Sequence, residues 1–336
     1  MRRVGGLIEQ IASPDNLREA WLKTVRGKRL EPSVLRFREN LNENLREIGE
    51  DLRFGTYRWG NYRSFTIFDP KERVIQVAPL RDRIAFHALI DVCEPFFDRV
   101  QFHASCACRK GRGQTAAVAL AARHTRASQF FLKADVRKYF DSISHDVLKR
   151  QLTRLYKDEM LLTAFFAIID SYERSPGRGI PIGNLTSQFF ANHYLNALDR
   201  FVFEELKIPR YVRYMDDFVL WGNRLEALAE ARDRIIGFTK DKLRLELKPT
   251  SLNRRRFGFS FLGYSIRSDG VYLTRKTKIR FRRFYKKSLS KLKSGEYSEA
   301  EFARRVGSAV AFLQGARPRT FLTKIVKEYE DGTDGY

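Results

Sequence analysis

The chain has 336 residues, 43% of them hydrophobic, which is enough for a substantial core and predicts two or three subdomains. The net charge of +23, from 63 basic and 40 acidic residues, indicates a polyanionic partner, with nucleic acid ahead of a membrane surface. No apolar run approaches the roughly 20 residues that cross a bilayer, and the first residues lack a secretory pattern. We therefore expect a cytoplasmic protein with no membrane partner.

The predicted elements follow one another in irregular order. Leucines and isoleucines at helical spacing predict helices over 13–53, beginning at a Ser or Asp cap, and the aromatic stretch 54–79 predicts a basic hairpin that turns at DPKE. Residues 130–136 predict a short apolar strand that ends at Asp135. Further helices are predicted at 80–98, after the basic loop that starts at Cys108, after a Ser144 cap, near 158–172 and from about Asn184. This mixture favours an α+β fold over a regular βαβ array.

The stretch RYVRYMDDFVLWG, residues 210–222, places two adjacent carboxylates between runs of strand-forming residues. The pattern predicts a β-hairpin with Asp216 and Asp217 at its tip. A polar turn explains one aspartate easily, whereas two adjacent carboxylates repel each other, and a bound cation or a shared proton relieves that repulsion. On these residues alone, a turn and a metal site remain equal alternatives.

A third carboxylate, Asp135, ends the predicted apolar strand. If that strand and the hairpin share one sheet, Asp135 lies near Asp216 and Asp217. Three carboxylates form a hard oxygen site of the kind that Mg²⁺ uses. Paired Mg²⁺ ions can activate a 3′-hydroxyl and stabilise a leaving pyrophosphate.

The segment 271–290 is strongly basic, with eight basic residues and no acidic residue, interleaved with aromatic side chains. Lysines and arginines neutralise phosphates while aromatic faces stack on bases, which is typical of nucleic-acid binding. An amphipathic helix with a solvated basic face is the alternative, and it is compatible with phosphate contact. The change in composition places a subdomain boundary near Asp269 and Gly270.

Five motifs follow one another along the chain: KERVIQVAPLRDR from Lys71, DVRKYFD from Asp135, PIGNLTSQ from Pro181, YMDD from Tyr214 and FLGY from Phe261. In this order, over about residues 55–265, the series resembles the reverse transcriptases. The resemblance implies an α+β right-hand polymerase with fingers, palm and helical thumb. It implies N-terminal helices and fingers with part of the palm in 1–129, the rest of the palm in 130–269 and a basic thumb in 270–336.

Carried over by position, the resemblance implies that Asp135 and Asp216 bind two catalytic Mg²⁺ ions. Asp217 would be an accessory ligand, and the backbone carbonyl of Val136 would complete the shell. Phe140 matches the aromatic residue that excludes the 2′-hydroxyl of a nucleotide, although a core aromatic after a strand explains the spacing equally well.

The same resemblance implies a set of residues that contact the incoming dNTP. Lys71 and Arg73 would clasp its triphosphate, where cations neutralise the charge that develops on the leaving group. Lys248, in the segment LRLELKPTS, matches a lysine that protonates pyrophosphate. The loop residues Ile182, Gly183 and Gln188 would lie beside the templating base pair.

The FLGY motif, made of Phe261, Leu262, Gly263 and Tyr264, resembles the primer grip, a tight hairpin that holds the primer end against the metals. Glycine permits such a turn. The basic residues expected to contact nucleic-acid phosphates are Arg254, Arg255 and Arg256 before the motif and Arg275, Lys276, Arg282 and Arg283 after it.

One departure from the family pattern indicates a particular group of reverse transcriptases. Most relatives are expected to have glutamine before the glycine of PIGNLTSQ and proline after its serine, where this chain has Ile182 and Gln188. This pattern, with HASCACRKGRGQT, resembles the reverse transcriptases of diversity-generating retroelements, which misincorporate opposite template adenines during mutagenic retrohoming. Glutamine can hydrogen-bond the templating pair and isoleucine cannot. The enzyme should therefore discriminate less strictly between correct and incorrect nucleotides. The adenine preference comes from the resemblance alone.

The resemblance also implies partners: a template RNA, the hybrid of that RNA with its cDNA, and a small basic oligomeric accessory variability protein, in a bacterial cell or a phage-infected bacterium. A retron or group II intron-like reverse transcriptase is the first alternative, and a template-independent abortive-infection polymerase is the next. A catalytically silent nucleic-acid scaffold finds no support, because all three carboxylates are present.

Overall fold

A computed structural model describes residues 3–68, 72–316 and 319–330. Lys71 and most of the predicted DPKE turn lie outside these residues. Within them, no helix is both long enough and apolar enough to span a membrane. The chain divides into two compact units: the first comprises the residues up to Arg109 with Val136–Phe201 and Arg234–Lys248, and the second comprises Lys110–Asp135, Val202–Asp233 and the residues from Pro249 onward.

The helices of the first unit include the predicted N-terminal group. They are α1 (Ile8–Ile11), α2 (Pro14–Thr24), α3 (Pro32–Glu39), α4 (Leu41–Phe54), α5 (Leu80–Val100), α7 (Tyr139–Ser142), α8 (His145–Leu155), α9 (Glu159–Asp170), α10 (Leu185–Tyr194) and α11 (Asn196–Arg200). The second unit contains α6 (Gln114–Arg126), α13 (Arg275–Lys293), α14 (Glu299–Leu313) and α15 (Arg319–Glu330). Helix α12 (Leu225–Leu243) runs from the second unit into the first.

The strands form three antiparallel sheets within the described residues. The first pairs β1 (Arg63–Phe68) with β2 (Glu72–Val77), the second has the order β4 (Tyr211–Tyr214), β5 (Asp217–Gly222), β3 (Phe130–Asp135) and β6 (Ser251–Arg254), and the third has β7 (Phe259–Phe261), β8 (Tyr264–Ile266) and β9 (Val271–Leu273) in that order. The predicted strand that ends at Asp135 and the predicted hairpin therefore share one sheet.

Local signals fix some of the helix ends. Ser13 caps α2 by accepting a hydrogen bond from the amide of Asn16, as the sequence predicts. Ser144 occupies the predicted cap position of α8, but its side chain makes no capping hydrogen bond. The long helix predicted from Asn184 is interrupted, because α10 and α11 are separate and a π-helical turn, Phe201–Glu205, follows.

Aromatic side chains fill both cores. In the first unit the ring of Phe97 lies 5.6 Å from that of Tyr156 and 5.4 Å from that of His193. In the second unit Trp221 on β5 is buried, and its indole N–H donates to the hydroxyl of Thr125 at 3.1 Å. Burying such large rings contributes to the driving force for packing each core.

Most of the basic C-terminal segment folds into an amphipathic helix, α13, which is the alternative that the sequence left open, with Thr274 as its cap. The ring of Tyr285 contacts Phe302 of α14 at 6.1 Å and Tyr329 of α15 at 5.8 Å, so these helices pack around shared aromatics. Strand β9, which lies beyond the predicted boundary at 269–270, pairs with β8. The helical part therefore begins at Arg275, and the three domain ranges stay a prediction.

Candidate active site

The adjacent aspartates lie where the sequence predicts them, at the end of the hairpin formed by β4 and β5. Met215 and Asp216 form the turn, and Asp217 is the first residue of β5, paired with Tyr214. Met215 has a φ of +54°, a left-handed conformation that is uncommon for a residue other than glycine, asparagine or aspartate. Strained backbone of this kind persists only where the surrounding structure imposes it.

Asp135 lies directly opposite Asp217 in the antiparallel pairing of β3 with β5. Directly opposed residues point to the same face of a sheet, with Cβ atoms about 4.5–5.5 Å apart. The pairing therefore brings Asp135, half-buried at the end of β3, beside the hairpin carboxylates. Sequence alone predicted this placement from the strand end.

Lys133 neutralises part of this negative charge. It lies two residues before Asp135, on the same face of β3. Its ammonium group is 2.7 Å from a carboxylate oxygen of Asp217, and the two side chains are 21% and 20% exposed. A paired carboxylate in a partly buried site is stabilised in its charged form, so Lys133 acts as a counter-ion within the protein.

The donor set suits a divalent cation, because carboxylate oxygens are the ligands that Mg²⁺ prefers. Asp135 and Asp217 are opposed, and Asp216 is adjacent on the turn. Among the described residues, however, no group of three or more His, Cys, Asp or Glu side chains is arranged to hold a metal. The three-carboxylate metal site therefore stays a prediction.

A buried arginine supports the turn. Arg213 on β4 is completely buried, and its guanidinium donates a hydrogen bond to the carbonyl of Met215 at 3.1 Å. A charged donor to a backbone carbonyl is stronger than a neutral one. Arg213 thus holds the strained residue of the turn from inside the sheet.

The loop PIGNLTSQ lies against strand β2 within the first unit. The amide of Gln76 donates to the carbonyl of Ile182 at 2.8 Å. Gly183 has a φ of +114°, and a Cβ at this position would lie 2.8 Å from Cγ2 of Ile75 and 3.0 Å from the carbonyl of Gln76. Only glycine fits here without displacing the strand. Arg73, on the same strand, is exposed.

The other predicted nucleotide residues also lie in the first unit, apart from Lys71, which is not among the described residues. Phe140 is half-buried, with its ring edge-on to Tyr139, and its carbonyl accepts from the amide of Ile180 at 3.0 Å. Val136 is fully buried and bridges to Leu247, next to Lys248, which is half-buried.

Gln188 is exposed, and its side-chain oxygen accepts a hydrogen bond from the thiol of Cys108 at 3.5 Å. Burial raises the pKa of the Cys108 thiol. The thiol therefore stays protonated near neutral pH and remains able to donate. This contact orients the glutamine that departs from the family pattern.

The FLGY motif forms the predicted tight hairpin between β7 and β8. Leu262 and Gly263 both have positive φ, +51° and +86°, as a two-residue turn of this kind requires. The side-chain amide of Gln114 donates to the carbonyl of Leu262 at 2.6 Å, and the hydroxyl of Thr277 donates to that of Gly263 at 2.6 Å. Two helices, α6 and α13, therefore fix this turn.

The remaining motif residues are buried. Phe261 is 1% and Tyr264 2% exposed. The hydroxyl of Tyr264 donates to the carbonyl of Phe312 on α14, and the two rings lie 5.5 Å apart. The motif thus joins its small sheet to the helices of the C-terminal segment.

The predicted phosphate-contacting residues fall into two groups. Arg254, Arg256, Arg275, Lys276 and Arg283 are exposed. Arg255 and Arg282 are engaged within the protein: the guanidinium of Arg255 donates to the carbonyl of Arg126 at 2.7 Å, and that of Arg282 pairs with Glu328 at 3.1 Å. The first group fits solvent-facing contact, whereas the second also has a structural role.

The sequence interpretation did not identify three residues of the site: Lys133, Arg213 and Gln114. Strand alternation could have indicated Lys133, because a residue two positions before Asp135 shares its face. Arg213 gave a weaker signal, a charged residue inside a short strand. Gln114 contacts Leu262, which is 148 residues away in the chain, and no local pattern reports such a contact.

Comparison with known families decides the assignment. Residues 69–266, more than half of the chain, match the family described as reverse transcriptase (RNA-dependent DNA polymerase). The chain belongs to the reverse transcriptase family. It is therefore an enzyme of the RNA-dependent DNA polymerase class, and members of this family use divalent metal ions.

Relatives of this reverse transcriptase include bacterial and fungal proteins. Protein YkfC of Escherichia coli K12 is 25% identical over 79% of this chain and 83% of its own length. The group II intron-encoded protein LtrA of Lactococcus lactis is 23% identical over 61% of this chain and 36% of its own length. The putative COX1/OXI3 intron 1 protein of Saccharomyces cerevisiae is 24% identical over 47% of this chain, a match that spans 20% of that protein.

Solved structures support the fold. The telomerase of Candida albicans, in complex with a TWJ fragment of telomeric RNA, aligns with a TM-score of 0.52 at 13% identity, over 82% of this chain and 58% of that chain. The apo telomerase of Candida tropicalis aligns with a TM-score of 0.53 at 12% identity, over 80% of this chain and 59% of that chain. The predicted right-hand polymerase fold is thus confirmed.

Proposed function

We propose that this reverse transcriptase copies an RNA template into cDNA by two-metal nucleotidyl transfer from dNTPs. The observation that carries the proposal is the direct opposition of Asp135 and Asp217 beside the turn that contains Asp216. Asp135 and Asp216 would hold both Mg²⁺ ions, with Asp217 and the carbonyl of Val136 as further ligands. Mg²⁺ bound there would supply a Lewis acid for the attacking 3′-hydroxyl and the leaving pyrophosphate.

The protein's own residues would position the reactants. The turn at Leu262 and Gly263, fixed by two hydrogen bonds, would hold the primer end. Arg73 would neutralise the triphosphate together with Lys71, and Lys248 would give a proton to pyrophosphate. The ring of Phe140 would exclude a 2′-hydroxyl by its volume. Orientation of this kind contributes to rate because bound reactants lose little further freedom.

The proposal extends to a diversity-generating retroelement, in which the enzyme would make errors opposite template adenines. Its basis is Ile182, whose carbonyl is bound to β2 and whose side chain has no hydrogen-bonding group to hold a templating base. The proposed partners are a template RNA, its hybrid with cDNA and a small basic oligomeric accessory protein. A group II intron or retron-like enzyme is the second candidate, favoured by the similarity to LtrA.

The deciding experiment is sequencing of the cDNA that the purified protein makes on a defined RNA with Mg²⁺, with and without a candidate accessory protein. Errors concentrated at template adenines would support the retroelement assignment. Uniformly faithful cDNA would favour the intron or retron-like enzyme. Products unrelated to the template would overturn template copying and indicate a template-independent polymerase.

We expect the substitution Ile182→Gln to lower misincorporation opposite adenine, because the amide can hydrogen-bond the templating pair. Ile182→Leu is the matched control, since it retains an apolar side chain and should keep the error spectrum. The measurement is the error frequency at each template base. An unchanged spectrum in Ile182→Gln would place the source of the errors elsewhere.

Hybrid binding should weaken steeply with salt, because phosphate neutralisation releases counterions. The double substitution Arg275→Gln and Arg283→Gln should reduce the slope of log K against log salt, by roughly 0.7–0.9 for each phosphate that the protein no longer neutralises. Arg282→Gln is the control, because that guanidinium is paired with Glu328. Fluorescence anisotropy of a labelled RNA–DNA hybrid gives the slopes, and equal slopes in all proteins would contradict a role for these side chains.

A further inference from the structure

A second basic site lies in the first unit, away from the residues assigned to polymerisation. It is a cavity of about 880 Å³ at the C-terminal part of α8, and helices α5, α9, α10 and α11 also contribute to its lining. This volume is within the range of about 300–1,000 Å³ that is usual for small-molecule sites. None of the polymerase residues that the structure describes lines it.

The lining carries positive charge. Its basic residues are Arg3, Lys149, Arg150, Arg154 and Arg200, and no acidic residue occurs among the described residues that line it. Lys149 is engaged already, at 2.6 Å from the carboxylate of Asp170. Arg3, Arg150 and Arg154 are exposed. Clustered guanidinium groups of this kind favour phosphate, which they bind in a bidentate manner.

Two hydrogen-bond acceptors in the lining lack a donor. Nδ1 of His193 and Oε1 of Gln151 are both buried, and neither has a hydrogen-bond partner among the described residues. His193 is 7% exposed. The amide nitrogen of Gln151 donates to the carbonyl of Tyr194 at 3.1 Å, which fixes the side chain so that Oε1 is the unsatisfied atom. Buried polar atoms without partners are uncommon in native proteins.

The ring of His193 is neutral near pH 7. Burial lowers the pKa of His193 to about 4, and a hydrogen bond to the backbone of Gln151 offsets only part of that effect. Because Nδ1 has no partner within the described part of the chain, the backbone contact is made by Nε2. Nδ1 therefore carries a lone pair that can accept a hydrogen bond from a donor that reaches it.

The complementary ligand has three properties. It needs hydrogen-bond donors for the two acceptors, as supplied by ribose hydroxyls or an exocyclic amine of a base. It needs a phosphate for the arginines and an aromatic or apolar part for the walls formed by Val100 and Phe166. A nucleotide combines all three.

We propose that this cavity is a second nucleotide site, which binds one phosphorylated nucleoside, either as an unpaired nucleotide of an RNA or as a free mononucleotide. The site does not depend on the proposed polymerisation, because none of its residues belongs to that set. The chemistry of recognition is the same for an RNA nucleotide and for a free mononucleotide, and competition between them distinguishes the two sources.

The test is photo-crosslinking of the full-length protein with a short single-stranded RNA that contains 4-thiouridine, followed by mapping of the crosslinked peptides. We expect crosslinks within 149–154 or 193–200 in addition to any at the hairpin. The double substitution Arg150→Glu and Arg154→Glu should reduce these crosslinks at least about tenfold, since each hydrogen bond to a charged group is worth a large factor in binding. Crosslinks absent from both segments, with this RNA and with 4-thiouridine 5′-monophosphate alike, would overturn the proposal.

Two controls separate a specific site from general charge. Arg36→Glu with Arg38→Glu, both exposed on α3, makes the same change in net charge and should leave the crosslinks intact. Gln151→Met keeps the side-chain length but removes the acceptor, together with the amide that donates to the carbonyl of Tyr194, and should weaken binding by about fivefold. Equal loss in both arginine double variants would overturn the site in favour of non-specific attraction.

Competition identifies the source of the nucleotide. The competitor is added before irradiation. Loss of the crosslink with uridine 5′-monophosphate, at concentrations that leave hybrid binding unchanged, would assign the cavity to a free mononucleotide. A crosslink that persists with the mononucleotide but is lost with unlabelled RNA would assign the cavity to an RNA nucleotide. A crosslink that neither competitor reduces would show that no saturable site is labelled and would overturn the proposal.

Discussion

Replacing Asp216 with alanine is expected to abolish measurable primer extension, while binding of an RNA–DNA hybrid stays within about twofold of the wild-type value. The substitution removes a proposed metal ligand and none of the exposed basic residues. A Lewis acid contributes several kcal/mol to such a reaction, and each 1.4 kcal/mol or so is tenfold in rate, so the loss should reach about a thousandfold or more. Single-nucleotide incorporation and fluorescence anisotropy, measured on the same preparation, give the two quantities.

Asp233→Ala is the matched control for this experiment. Asp233 is an exposed residue of α12, paired with Arg232, so its loss changes the net charge equally without touching the hairpin. It should retain full activity. Normal extension by Asp216→Ala would show that the carboxylate is no metal ligand, and loss of hybrid binding would show that the hairpin itself had unfolded.

Replacing Gly183 with alanine is expected to cause the second large effect, on both stability and activity. A residue other than glycine at φ +114° carries strain of about 1–3 kcal/mol. The added Cβ also meets Ile75 and the carbonyl of Gln76 at 2.8 and 3.0 Å, and overpacking of this kind typically costs about 1–3 kcal/mol. Urea denaturation should show a lower midpoint, and primer extension should fall because the loop leaves β2.

Gly113→Ala separates strain from collision. Gly113 has a φ of +102°, and a Cβ there would have no atom within 4 Å among the described residues. This variant should be destabilised only by the backbone strain. The difference between the two urea midpoints then measures the contact of the loop with β2. Equal destabilisation in both variants would mean that β2 moves aside freely and does not hold the loop.

Local sequence signals predicted the elements that carry the carboxylates. A short apolar run at 130–136 predicted β3 and its end at Asp135, and strand formers on both sides of the aspartates predicted the hairpin. The register did not follow from these signals, because the strand could have paired with either strand of the hairpin; the structure shows that β3 pairs antiparallel with β5, which sets Asp135 opposite Asp217. The turn at Leu262 and Gly263 was predictable because glycine favours a positive φ.

Other features depend on contacts that no local pattern reports. Whether Arg282 faces nucleic acid or Glu328 depends on the packing of α15 against α13, 46 residues away in the chain. The helix that begins after Asn184 is interrupted without a proline or glycine, so its sequence did not predict the interruption. The cavity beside α8 is formed by segments that are distant in sequence, so its charge was visible only as part of the overall excess of basic residues.

The ion pair between Lys133 and Asp217 has a consequence for assembly. Because an ammonium group tethered to β3 balances a hairpin carboxylate, the folded sheet tolerates its acidic cluster before any cation arrives. We therefore expect the melting temperature to change little between EDTA and millimolar Mg²⁺, as scanning calorimetry would show, whereas a hairpin that needed metal to fold would lose stability with the chelator. Folding and metal binding would then be separate events, and newly made protein would be folded before it binds metal.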